Sequence, residues 1–177
     1  MDRLSFAALA LAALALAAWM VAAPGPSAAG GSETTGADHR FAKGLAAYDA
    51  GRYRAAARLW GRLAQAGHED AMIGLAGLHR QGLGVVRDPA RAAALYRRAG
   101  LLGRAIAQAN LAEMMVRGEG LAADPARAWA WFTLAGAGGN AWARCQAARL
   151  EETMPPDQRR RARSLLAALK REIAAAR

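Results

Sequence analysis

The chain has 177 residues and a formal net charge of +10, a length that suits one domain behind a leader. Hydrophobic residues make up 54% of it, but much of that is alanine, which lets helices approach closely and buries little area per side chain. The few aromatic residues (Trp 5, Tyr 3, Phe 3) therefore mark the core. Lys43 and Lys170 are the only lysines, so the positive charge is guanidinium, which favours planar, bidentate contact with carboxylates and phosphates and points to an acidic partner. The single cysteine, Cys145, excludes an intramolecular disulfide, and stability must come from packing.

The chain opens with Arg3, then an uncharged run from Phe6 to Ala23, then a stretch rich in Gly, Pro, Ser and Ala. This is the pattern of a secretory signal peptide over residues 1–29 cut after Ala29, with a flexible linker over 30–39. The alternative is an uncleaved inner-membrane anchor over residues 6–23, since a spanning helix needs about 20 apolar residues. Both readings export the remainder, to the periplasm or beyond the cell.

From Ala37 onward the reading is helical. β-Branched residues are too sparse for a sheet: isoleucines stand at 73, 106 and 173, and valines at 21, 85, 86 and 116. A first unit over residues 41–67 contains "GLAAYDAGRYRAAARLWGRLAQAG". Two more units, 71–103 and 107–139, repeat one another at an offset of 36 residues: Ala71, Leu75, Gly82, Gly84, Asp88, Pro89, Ala92, Ala99 and Gly103 recur as Ala107, Leu111, Gly118, Gly120, Asp124, Pro125, Ala128, Ala135 and Gly139. In each unit the first glycine stops one helix, the aspartate caps the next, and the proline fills its first turn, where a missing amide hydrogen costs nothing. Ala92, Leu95, Tyr96 and Ala99, then Ala128, Trp131, Phe132 and Ala135, make the buried stripe of the second helix. The last segment, 141–177, starts a fourth first helix that Pro155 and Pro156 end. A final helix follows with Ala162, Leu165, Leu166, Leu169 and Ile173 on one face, a C-terminal cap for a stacked array.

These units resemble the Sel-one-like repeat family, relatives of the tetratricopeptide repeats. The family pattern is A-x-x-x-L-G-x-x-Y, a G-x-G-V loop, then D-x-x-K-A-x-x-W-Y closing on A-A-x-x-G. His79 and Met115 replace the tyrosine, Ala76 and Ala112 the glycine, and Arg91 and Arg127 the lysine. The resemblance implies an all-α, right-handed solenoid of stacked antiparallel helix pairs. It also implies a scaffold, adaptor or regulator of the bacterial cell envelope that binds a protein or peptide in a groove lined by first helices. Arg80, Asn110, Glu113 and Arg117 fall at first-helix positions expected to be exposed to that groove.

The chemistry-bearing residues support no enzyme. The G-x-G pairs lack the third glycine and the preceding strand of a dinucleotide fingerprint. His68, Glu69 and Asp70 form the densest cluster of metal-ligand types, but they lie in the turn between units; no metal or cofactor is expected. Carboxylates are scattered, serines lack a nucleophile elbow, and Cys145 has no partnered histidine nearby. Arg159, Arg160, Arg161 and Arg163 form a basic face of the last helix, which as a docking surface suits an anionic cell-envelope polymer, the alternative function. A cell-wall hydrolase ranks below both, and export argues against nucleic acid.

Overall fold

The computed structural model describes residues 29–176. The leader or anchor expected over residues 1–29 lies outside the described residues except for Ala29. The chain divides into Met1–Gly36 and Ala37–Arg177. Of the first unit, the described residues are the opening turns of a helix; the second holds the helical array.

Among the described residues the elements are all helices: α1 Ala29–Asp49, α2 Tyr53–Gln65, α3 Glu69–Gln81, α4 Pro89–Leu101, α5 Ala105–Arg117, α6 Pro125–Ala137, α7 Ala141–Thr153 and α8 Pro156–Ala175. Residues 30–39, expected as a linker, fall within the bounds of α1, Ala29–Asp49. Glycines at 30, 31 and 36 each weaken a helix by about 1 kcal/mol but do not forbid it, no proline follows Pro26 until Pro89, and Ala37 and Phe41 pack on the core. No described helix is long and apolar enough to cross a membrane.

The repeat reads out in matching local geometry. Asp88 accepts from the Arg91 amide at 2.9 Å and Asp124 from the Arg127 amide at 3.0 Å, each capping a helix whose first residue is proline. Gly82 and Gly118 end α3 and α5 with φ of 75° and 65°, and the following amides, Leu83 and Glu119, donate back to the Leu78 and Met114 carbonyls. The loop is closed by Asp88 N–H on the His79 carbonyl, 2.8 Å, and by Asp124 N–H on the Met115 carbonyl, 3.1 Å. The second helices end on equivalent bonds: the amides of His68, Arg104 and Asn140 donate to the carbonyls of Leu63, Ala99 and Ala135.

The second glycine of each loop has a different task. A Cβ on Gly84 would stand 2.3 Å from the Arg54 amide nitrogen, and one on Gly120 2.3 Å from the Pro89 carbonyl carbon. Each loop thus lies directly on the first turn of the preceding unit's second helix, α2 or α4, with no room for a side chain.

The core runs through the array as one cluster. Ala71, Leu75 and Leu78 of α3, Ala92, Leu95, Tyr96 and Ala99 of α4, and Ala128, Trp131, Phe132 and Ala135 of α6 are buried. Aromatic bulk is matched by glycine: Trp60 of α2 lies where Cβ atoms on Gly44 and Gly74 would stand 2.2 and 2.8 Å from its ring, and Trp131 packs on Gly100. His79 is buried, and its Nδ1 donates to the Val86 carbonyl at 3.4 Å, pinning the loop. α4 and α6 each pack on their own first helix and on the next unit's first helix, and α2 packs on α3. The terminal helix departs from this pattern. α8 has α6 rather than α7 as its main partner, and its far end touches α4. Ala162, Leu169 and Ile173 are its buried residues.

Two substitutions test this packing. Gly139 also has positive φ but open space around it, so Gly139→Ala should cost about 1–2 kcal/mol from backbone strain alone. Gly120→Ala should cost about 1–3 kcal/mol more from the clash; equal losses in urea unfolding would contradict the loop contact. Trp131→Ala should cost about 3–5 kcal/mol, and an unchanged melting temperature would contradict its place between helices.

Candidate functional site

The first helices α3, α5 and α7 share one face of the array, and the 36-residue register decides which side chains meet between neighbours. Between α3 and α5 the meeting is ionic. Arg80 donates to Glu113 Oε2 at 3.1 Å and to Glu119 Oε2 at 3.0 Å, Arg87 reaches Glu119 Oε1 at 3.4 Å, and Arg117 reaches Glu113 Oε1 at 2.6 Å. Arg87 also donates to the Arg80 carbonyl, 3.1 Å. Burial lowers the proton affinity of the Arg80 guanidinium, but its hydrogen bonds to Glu113 and Glu119 outweigh this and raise its pKa above that of an ordinary arginine. Tyr96 lies beneath this network, its hydroxyl pushed up in pKa by burial.

Arg80 and Glu113, expected as exposed groove residues, are instead 16% and 22% exposed and occupied with each other. Asn110 turns back on its own helix, donating to the Ile106 carbonyl at 2.9 Å. Arg117 is exposed, as expected.

Between α5 and α7 the same register gives an opening. Val116 stands where the previous unit has Arg80, Arg149 where it has Glu113, and Phe132 where it has Tyr96. A pair that would close the gap is absent, and the aromatic ring lacks the hydroxyl. The result is a cleft of about 400 Å³. Phe132 forms a buried floor, with Trp142 edge-on to it at 5.5 Å between ring centroids. Trp142 and Val116 are 48% and 42% exposed, two of the few large apolar side chains so open among the described residues. Leu150 closes one side, and Glu113, Arg117 and Arg149 form the polar rim. Sequence reasoning placed Phe132 in the core and missed Val116, Trp142 and Arg149. The signal that finds them is the loss of a charge pair when positions 80 and 113 are carried forward by one repeat.

The arginines of α8 are largely committed inside the molecule. Arg159 donates to the Met154 carbonyl at 2.8 Å, Arg161 makes a two-pronged contact with Asp124 at 3.2 and 2.7 Å, and Arg163 reaches Glu151 at 3.4 Å. Arg160 is exposed. Asp124 thereby caps α6 and anchors α8 at once. At the other end of the array His68 caps α3, its Nδ1 accepting from the Ala71 amide at 3.3 Å, while its ring stacks on Phe41.

The Arg80–Glu113 pair should be worth a measurable amount because both groups are largely out of solvent. Arg80→Ala is expected to cost about 1–3 kcal/mol. A double-mutant cycle with Glu113→Ala should return a favourable coupling of about 1 kcal/mol, and additive losses in denaturant unfolding would contradict the network.

The Sel1 repeat family model matches residues 69–103 and 105–140. Among solved structures, the SLR fold of c5321, a protective antigen of uropathogenic Escherichia coli strains, superposes with a TM-score of 0.74 and 25% identity, covering 82% of this chain and 32% of that one. A Sel1 repeat protein from Oxalobacter formigenes gives a TM-score of 0.62 and 20% identity, covering 66% of this chain and 50% of that one. The chain thus spans at most half the length of these structures. No curated protein matches its sequence. Residues 69–103 and 105–140 are therefore tandem Sel1 repeats, set in an all-α helical-repeat solenoid of the SLR fold.

Proposed function

We propose that the chain is an exported, non-catalytic interaction scaffold, an adaptor or regulator in the bacterial cell envelope. Sel1 repeats are surfaces for binding other proteins, and the observation that carries the reading here is the α5–α7 cleft, an apolar floor left open to solvent on the first-helix face. Export rests on the sequence of the leader, with its uncharged run from Phe6 to Ala23 and small residues before Gly30. The periplasm is the favoured compartment, secretion or an inner-membrane anchor the alternatives. Binding of an anionic polymer through the last helix has less support, because Arg159, Arg161 and Arg163 are already hydrogen-bonded within the chain.

Three measurements separate these readings. Mass spectrometry of protein from the source cells should find Gly30 as the N-terminus, and an intact residue 1–29 segment would favour the anchor. A photo-crosslinking residue at position 142 should give a discrete protein adduct in the native envelope, while the same residue at position 160 should not; no adduct at 142, or equal adducts at both, would contradict the scaffold. Retention on anionic polysaccharide that disappears at moderate ionic strength would instead support the polymer reading.

A further inference from the structure

We infer that the α5–α7 cleft takes a segment of a partner protein in which an apolar side chain stands next to an aspartate or glutamate; the inference rests on the scaffold reading and names what that scaffold holds. The repeat register carries it. At α3–α5 each rim charge is answered within the chain, Arg80 by Glu113 and Glu119 and Arg117 by Glu113. At α5–α7 the position of Glu113 is occupied by Arg149 and that of Arg80 by Val116. Among the described residues no carboxylate pairs with Arg149, and Glu113 is already shared between two arginines. The unanswered guanidinium therefore lies beside an exposed apolar pair, Val116 and Trp142, over the Phe132 floor.

The two halves of the cleft ask for different chemistry in one ligand. Covering Val116 and Trp142 removes apolar surface from water at about 25 cal/mol per Å², which favours a leucine, methionine or aromatic side chain. Arg149 offers a planar fork suited to a carboxylate. A rim arginine exposed to solvent contributes more to selectivity and encounter rate than to affinity, and its contribution weakens with salt. The apolar contact supplies the anchor; the arginine selects an acidic neighbour over a basic one.

The probe is a phage-displayed library of short random peptides selected on the full-length chain. The enriched peptides should carry Asp or Glu adjacent to Leu, Met, Phe or Trp. Arg149→Glu should weaken them about tenfold or more and bind instead the versions in which lysine replaces the acid, whereas Arg149→Lys should keep the acidic preference. Trp142→Ala should weaken both sets. Because Arg149 is exposed, the melting temperature of its variants should stay near that of the parent, while Trp142→Ala, which also loses the edge contact with Phe132, should keep the parent's helical circular dichroism. Enriched peptides that bind the parent and Arg149→Glu equally, or an absence of enrichment, would overturn the assignment of the cleft. So would self-association of the chain abolished by Arg149→Glu, which would make a second copy the occupant. Peptides that bind elsewhere would leave the scaffold reading standing, since that reading is decided by the crosslink at position 142.

Discussion

The structure depends on a backbone laid directly on a backbone. At Gly84 and Gly120 the inter-helix loop rests on the first turn of the preceding second helix at a distance that excludes even a methyl group. Such a contact fixes separation and angle more tightly than side-chain packing, because it has no rotamers with which to adjust. Repeating it at the same register gives the same step each time, and the glycine before it, at 82 or 118, turns the chain into that contact. The second glycine of each pair is covered by the preceding unit, while Gly82 and Gly118 pack on their own loop.

Once the step is fixed, identical positions of successive first helices face one another in the same way, and function becomes a matter of which side chains are placed there. Arg80 opposite Glu113 closes one junction with a half-buried ion network. Val116 opposite Arg149 leaves the next one open, with an apolar floor and an unanswered charge. The scaffold and the site are thus set by different residues. Glycines, alanines and the capping aspartates build the repeat, and three departures from it, at 116, 132 and 149, make the cleft.

Much of the architecture was legible because it is local or periodic. The capping aspartates, the helix-stopping glycines and the buried stripe through Leu95, Tyr96, Trp131 and Phe132 follow from spacing alone. What spacing does not show is the partner of a charged side chain. Arg80 meets carboxylates 33 and 39 residues away, and Arg161 meets Asp124 37 residues away, so an arginine that looks free on its own helix is held by a neighbour. The amphipathic pattern of α8 announced a buried face but not that α6, rather than α7, lies beneath it.

The α5–α7 cleft is open because it lacks the pair that closes α3–α5. This is tested most directly by installing that pair: Val116→Arg together with Arg149→Glu. A double-mutant cycle in urea unfolding should show a favourable coupling of about 0.5–1 kcal/mol, as the new arginine and glutamate find one another across the cleft. Strictly additive effects of the two substitutions would mean that the register does not bring these positions together, and would contradict the account.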